Sequence, residues 1–307
     1  MKITVIGGTG AMGLIFGARL AQAGHEVTLL DVNKEAIEAV NKEGARITNK
    51  EGVVETIKSL RATSDPASIK SVELAIIFTK CYWTEEALMK ARSIFTSGTT
   101  VLTLQNGWGN YDVITKIVDP EKILVGVSYV SGTTLGPGHA RQVGNPVAYV
   151  GKVGAVADES VKKVAEVLNG IGIKTTASDD ALKEIFTKLA HNVACLAITA
   201  LLKMEAHRVV DNDYTIALMD ELLIETIAVA KAKGIQLDAA ERRKGIHDLM
   251  RNAVGARSSM LQDVDAKRKT EIDVINGAIV RMGKEAGIPT PMNECIVRLI
   301  KGLETTF

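Results

Sequence analysis

Lys188, Asn192, Asn106 and Glu271 are the residues of this chain whose types and spacing suit proton transfer and hydrogen bonding to a small ligand. Lys188 and Asn192 stand four apart in Glu184 to Leu202 (EIFTKLAHNVACLAITALL), a largely apolar run of helical period. With Cys195 and Thr199 they form one polar stripe, which borders a cavity or meets solvent along that edge. The competing reading of Lys188 is a side chain snorkelling to solvent from the start of the helix. His191, beside the stripe, reads as structural, and no metal site is expected, because nothing supplies further ligands at suitable spacing. Thr270 and Asp273 have the spacing of a capping box, which puts Glu271 in the first turn of a helix. There it complements the helix dipole or, facing Lys188, helps to set proton affinity at a reacting oxygen. Asn106 offers an amide at the end of a strand, although Asn106-Gly107 is also an ordinary turn.

A second constellation opens the chain. Lys2 to Ile6 (KITVI) reads as a strand, Gly8, Gly10 and Gly13 follow at G-x-G-x-x-G spacing, and Leu14 to Ala23 is apolar at helical intervals. A first glycine permits the tight turn, a second lets backbone approach a pyrophosphate, and a third lets the helix pack closely. With Thr9, Ala11 and Met12 these residues form a candidate phosphate cradle at a helix N-terminus. Asp31 ends the next strand, Glu26 to Leu30, where a carboxylate accepts from both ribose hydroxyls and repels a 2′-phosphate. The residues therefore favour NADH over NADPH, with Lys34 nearby as a softening charge.

Positioning these groups takes a mostly α/β frame. Helical spacing runs from Lys34 to Glu43, and short strands are expected around 46–48 and 53–57. Leu74 to Phe78 reads as a buried strand with Thr79-Lys80 at its carboxyl end, where ligands bind in open α/β sheets; Lys80 reads equally as a loop lysine. Thr84 to Phe95 is helical, Thr100 to Leu104 is a strand ending at Gln105-Asn106, and Ile123 to Tyr129 is another leading to Ser131-Gly132. His139 to Val143 and Val147 to Gly151 read as an antiparallel pair about Gly144-Asn145-Pro146. A helix from Asp158 to Leu168 and a strand from Ile173 to Ala177 follow. Helices then run from Asp180 past Leu202, Asp213 to Lys233, Asp238 to Asn252, Thr270 to Ala286 and Met292 to Leu303. The expected fold is α/β: a Rossmann-type doubly wound sheet over 1–178 followed by an all-helical domain over 179–307, with a cleft between them.

A length of 307 residues accommodates two cores, and 46% hydrophobic with 24% charged residues is ordinary for a globular protein. The net charge of +1 gives no reason to expect nucleic acid or an anionic membrane as partner. Val193 to Leu202 is too short to span a bilayer, and the chain enters a strand at once without a signal-like segment, so a cytoplasmic location is expected. Cys81, Cys195 and Cys295 are odd in number and far apart, which argues against disulfides and structural zinc.

Taken together, the glycine motif, Thr79-Lys80, Gln105-Asn106-Gly107-Trp108-Gly109, Lys188-Leu189-Ala190-His191-Asn192, and SSMLQD followed by KTEIDVINGAIVR resemble the ketopantoate reductase (2-dehydropantoate 2-reductase) family over nearly the whole chain. The resemblance implies reduction of ketopantoate to pantoate with a nicotinamide cofactor, on the route to pantothenate and coenzyme A. It makes Lys188 the general acid, Asn106 a contact to substrate and cofactor, Asn192 and Ser259 substrate ligands, and Glu271 a partner near the nicotinamide. Lys80 and Gly132 match cofactor-contacting positions, and a homodimer is implied. The chain departs from the pattern at Leu196 and Ala206, where the family often has asparagines, and at Asp31, where members carry a basic residue and usually prefer NADPH, so the resemblance favours NADPH where Asp31 favours NADH. Reduction of another branched 2-keto acid, a 3-hydroxyisobutyrate-type dehydrogenase and a dinucleotide sensor without chemistry are the alternatives.

Overall fold

Four of the five residues of β1 (Lys2–Ile6) are buried, as a strand covered on both faces requires. The computed structural model describes residues 1–307. After β1 come α1 (Ala11–Gln22), β2 (Glu26–Leu30), α2 (Lys34–Glu43), β3 (Ala45–Thr48), β4 (Val54–Ile57), β5 (Leu60–Thr63), β6 (Leu74–Ile77), α3 (Cys81–Lys90) and β7 (Thr100–Thr103). The first region continues with α4 (Asn110–Ile114), β8 (Ile123–Gly136), β9 (His139–Gly151), α5 (Glu159–Asn169) and β10 (Lys174–Ala177). Helices alone follow: α6 (Ala181–Leu202), α7 (Asp213–Ala232), α8 (Ala239–Asn252), α9 (Ser259–Asp265), α10 (Asn276–Ala286) and α11 (Pro291–Glu304).

Contacts divide the chain into two units, Met1–Gln105 with Asn110–Ala181, and Asn106–Gly109 with Leu182–Phe307. In the first, β5, β2, β1, β6, β7 and β8 lie side by side and parallel. Strand order reverses between β1 and β6, so the carboxyl ends of these two strands mark the ligand-binding crevice of a doubly wound sheet. Beyond β8 the sheet becomes mixed: β9 is antiparallel to β8, and β3 and β10 are parallel to β9.

The expected hairpin about Gly144-Asn145-Pro146 does not form. The chain turns instead at Pro137-Gly138, where Gly138 takes a left-handed φ of 64°, and β9 runs on against β8 through an irregularity at residues 145–147. Gly144, at φ 79°, lies where the pairing shifts register. Strand β5 and the short helices α4 and α9 carried no readable period. The expected helix from Thr270 is also shortened, because Ile275 (φ −104°, ψ −99°) precedes α10 and only a 3-10 turn spans Ile272–Val274.

In the second unit α6 is the central element. Its 22 residues are long and apolar enough to cross a membrane, yet 72% of its most apolar window is buried inside the protein. Both α6 and α9 end in a left-handed lysine, Lys203 and Lys267, each at φ 51°. The following amides close the turns, Met204 N–H onto Thr199 O at 3.1 Å and Arg268 N–H onto Asp263 O at 2.8 Å. Glycine adopts this conformation without the Cβ clash that a lysine suffers, so Lys267→Gly is expected to raise stability by about 0.5–1 kcal/mol. A lower urea midpoint for the variant would contradict this.

Candidate active site

The glycine loop follows from close packing. Gly7, at φ +74°, makes the turn after β1, and a Cβ there would come within 2.7 Å of Thr79 N. A Cβ on Gly8 would lie 2.7 Å from both Leu29 Cβ and Val5 O, and one on Gly13 would strike Gly7 O. The helix-to-strand contact assigned to Gly13 belongs to Gly17, whose Cβ would run into the Leu29 side chain. Gly10 is different. Its backbone is extended (φ −66°, ψ 163°), and the nearest atom to an added Cβ is Gly7 O at an ordinary 3.5 Å. Packing does not demand a glycine here, so its bareness keeps the α1 N-terminus open to a ligand backbone. Thr9, Ala11 and Met12 are the other residues of this loop and of the first turn of α1.

Asp31 stands at the end of β2 with its carboxylate held from both sides. One oxygen accepts from Thr9 N–H at 2.9 Å, the other from Val32 and Asn33 N–H at 2.7 and 3.2 Å. The acid is thereby tied to the glycine loop. Lys80 is the N-cap of α3, after β6, where Thr79 O accepts from Gln105 Nε2 at 2.6 Å. Gly132 packs on α1, with Ile15 Cδ1 at 2.5 Å and Ala11 Cβ at 3.3 Å from where a Cβ would be. Its lack of a side chain therefore has a packing reason beside the helix that carries the cradle.

In the second unit, Lys188 Nζ donates to Asn106 Oδ1 at 2.9 Å. Burial lowers the lysine pKa to about 8, and the Glu271 carboxylate opposes that fall. Asn106 is brought to α6 by its own loop: Trp108 N–H donates to Val274 O at 2.7 Å, and Gly107 (φ 82°) abuts the same carbonyl, where a Cβ would collide. Val274 belongs to the turn that carries Glu271. One backbone clamp thus gathers Asn106, Lys188 and Glu271.

Asn192, one turn on from Lys188, is buried, and no side-chain hydrogen bond ties up its amide. That leaves two donors and an acceptor available on the lysine's side of α6. His191 is neutral, its pKa lowered to about 4 by burial and by the Lys188 charge, and its Nδ1 is buried without a partner. The polar stripe does not face the site along its whole length. Cys195 points into the core with its sulfur 3.9 Å from Met219 Sδ, and burial pushes the thiol up. Thr199 Oγ1 lies 2.6 Å from Ser258 Oγ, which joins α6 to the start of α9. Ser258 caps α9, leaving Ser259 exposed as its first residue. Leu196 and Ala206 are nearly buried, and Leu196 continues the side of α6 that bears Lys188 and Asn192.

The capping box is absent. Thr270 donates both its N–H and its hydroxyl to Glu304, at 2.8 and 2.7 Å, and Asp273 pairs with Lys301. A carboxylate 34 residues away wins Thr270, so Glu271 sits in a turn rather than on a helix.

Residues 3–155 match the family profile described as ketopantoate reductase PanE/ApbA, and residues 180–304 match its C-terminal counterpart. The 2-dehydropantoate 2-reductase of Pyrococcus abyssi is 33% identical, covering 99% of this chain and 98% of its own. That of Aquifex aeolicus is 30% identical over 99% and 97%. Among solved structures, D-mandelate dehydrogenase with NADH and anilino(oxo)acetate superposes with a TM-score of 0.94 at 30% identity, covering 100% of this chain and 99% of that one. A PanE/ApbA family ketopantoate reductase from Ralstonia eutropha gives 0.89 at 29% identity, with coverage of 100% and 99%.

Proposed function

Because the chain belongs to the ketopantoate reductase family, we propose that it reduces a 2-keto acid, ketopantoate, to the corresponding 2-hydroxy acid. The observation that carries this reading is the buried Lys188 ammonium, hydrogen-bonded to Asn106 and supported by the Glu271 carboxylate. A nicotinamide cofactor, when bound, would supply the hydride for the keto carbon. Lys188 donates its hydrogen bond, and then its proton, to the oxygen as negative charge gathers there. Asn106 aims the ammonium, and Asn192 and Ser259 offer donors to the substrate carboxylate and hydroxyl. Glu271 sustains the protonated lysine between turnovers.

Residues 1–178 hold the cofactor in this reading, through Gly8, Thr9, Gly10, Ala11, Met12, Gly13, Asp31, Lys80 and Gly132. Residues 179–307, with Asn106, hold the substrate and the acid. Asp31 supports NADH over NADPH, since a carboxylate at the end of β2, held by Thr9 and Val32 N–H, would repel a 2′-phosphate on the ribose. A cytoplasmic homodimer belongs to the same proposal, by resemblance alone.

One observation favours a second substrate class. Leu196 and Ala206 are apolar where the family often carries asparagines, so a keto acid with an apolar substituent is the second candidate. Anilino(oxo)acetate, bound in the similar D-mandelate dehydrogenase, likewise carries an apolar aryl group beside its oxo carbon, although through an amide nitrogen. The deciding experiment is initial-rate oxidation of NADH with ketopantoate and with 3,3-dimethyl-2-oxobutanoate, which is ketopantoate without its hydroxyl. Turnover of ketopantoate supports the first reading. An apolar wall discriminates only weakly against an added hydroxyl, so the two kcat/KM values are expected to agree within about a hundredfold. Leu196→Asn is expected to move the ratio toward ketopantoate. Failure of both substrates would refute the reductase reading.

A further inference from the structure

The stretch from Thr270 to Asn276, which carries Glu271, is fastened to α11 at three points. Glu304 accepts from Thr270 N–H and Oγ1–H at 2.8 and 2.7 Å, Lys301 Nζ donates to Asp273 at 2.5 Å, and Asn293 Oδ1 accepts from Asn276 Nδ2 at 3.0 Å. Residues 270, 273 and 276 meet residues 304, 301 and 293 in that order, so the stretch runs antiparallel along the helix. Thr270, Asn276 and Asn293 are fully buried.

The near end is locked further. Glu225 of α7 accepts from Met292 N–H, Asn293 N–H and Asn293 Nδ2 at 2.8, 2.9 and 2.7 Å, and Asn276 Nδ2 also reaches Val193 O at 3.2 Å, next to Asn192. The far end depends on Glu304. Glu271 itself (φ −95°, ψ 25°) lies outside any helix or strand, with its carbonyl accepting from Val274 N–H at 3.1 Å. Its neighbour Thr270 accepts locally from Ile272 N–H at 3.3 Å, and its tie to α11 is the Glu304 carboxylate. Lys301 with Asp273 is a partly exposed pair, which contributes weakly.

Resting on the reading of Lys188 and Glu271 as acid and partner, we propose that Glu304 is a positioning residue. By gripping Thr270 through two hydrogen bonds it sets where the Glu271 carboxylate stands relative to Lys188. Glu304 does not touch the reacting atoms; it acts through Thr270. The charged group facing it is Lys301, at 3.4 Å from its second oxygen, while Glu271 is the titratable group that acts on Lys188, whose charge in turn acts on His191.

The test compares Glu304→Ala, Glu304→Gln, Glu271→Gln and the Glu304→Ala/Glu271→Gln double variant in the full chain. The assay uses NADH with ketopantoate or 3,3-dimethyl-2-oxobutanoate, whichever turns over faster. Glu304→Ala is expected to lower kcat by roughly ten- to a hundredfold, as displacement of a working group does, with the KM for NADH unchanged. It should also move the alkaline limb of the pH profile to lower pH, as Glu271→Gln does, because both weaken the carboxylate's support of the ammonium. Glu304→Gln, whose amide oxygen still accepts from Thr270, should restore most of the rate. In the Glu271→Gln background, Glu304→Ala should displace the limb no further.

An alkaline limb left in place by Glu304→Ala, or displaced further in the double variant, overturns the proposal. Should Glu304→Ala not fold, Thr270→Val removes one of the two bonds and must shift the limb in the same direction; an unmoved limb again overturns it. If Glu271→Gln itself leaves the limb unmoved, the acid-and-partner reading fails and the positioning role falls with it. If Glu271→Gln moves the limb and Glu304→Ala does not, only the positioning role fails.

Discussion

Lys188→Ala is expected to lower kcat for keto acid reduction by roughly 10²- to 10⁴-fold, the range that a positioned proton donor contributes, while NADH binding stays near normal. The variant removes the ammonium that Asn106 orients, and no second acid is at hand: His191, with a pKa lowered to about 4, holds no proton to give at neutral pH. The pH dependence follows from the sign of the lysine's shift. Reduction needs Lys188 protonated, so kcat/KM should be flat below its pKa of about 8 and fall above it. Oxidation of the 2-hydroxy acid needs the free amine and should rise through the same pH. Removing the Glu271 carboxylate takes away the interaction that raises this pKa, so Glu271→Gln should carry both limbs to lower pH. Steady-state profiles in the two directions check all of this. Near-normal turnover by Lys188→Ala, or limbs that do not mirror each other, would remove Lys188 from the acid's role.

Exchange of the charge at Asp31 is expected to give the other large effect, a fall in the NADH-to-NADPH ratio of kcat/KM by about a hundredfold in Asp31→Asn. Two changes add. The charge-assisted hydrogen bonds to the ribose hydroxyls weaken, at about 1.5–3 kcal/mol for bonds to a charged group. Like-charge repulsion of a 2′-phosphate disappears, and Lys34 is then left as the nearby charge. The side chain stays anchored in part, since an amide oxygen still accepts from Val32 and Asn33 N–H, whereas the bond from Thr9 N–H is lost when an NH₂ faces it. Separate KM values for the two cofactors with the same keto acid are the measurement. An unchanged ratio would show that Asp31 does not read the ribose. A loss of kcat at saturating cofactor would show that it orders the glycine loop instead.

The glycine motif, the strand before it, the helix after it and Asp31 were legible because each is a local property: a period, a spacing, a turn residue. So was the change from alternating strands and helices to helices alone near residue 180, since buried strands and amphipathic helices leave different patterns. The stripe bearing Lys188 and Asn192 followed from the helical repeat. The family resemblance rested on short motifs read in order along the chain.

Contacts between distant residues decided the rest. Gly10 and Gly13 have the same composition and motif, but only three dimensions show one kept bare by its neighbours and the other left open. Cys195 lies on the polar stripe by its spacing and in the core by its packing, because a helical period tells which residues share a side and not what covers each part of it. Thr270 and Asp273 had the local chemistry of a helix cap, yet Glu304 and Lys301 took them, since a buried hydroxyl bonds whichever acceptor the fold delivers. Asn106 reads as a ligand-facing amide or as a turn residue, and its pairing with the lysine comes through the clamp of Trp108 and Gly107 on Val274. Local sequence thus set the elements and the residue types available for chemistry. Which of those residues meet was decided by tertiary packing, because hydrogen bonds and steric exclusion act across space without regard to distance along the chain.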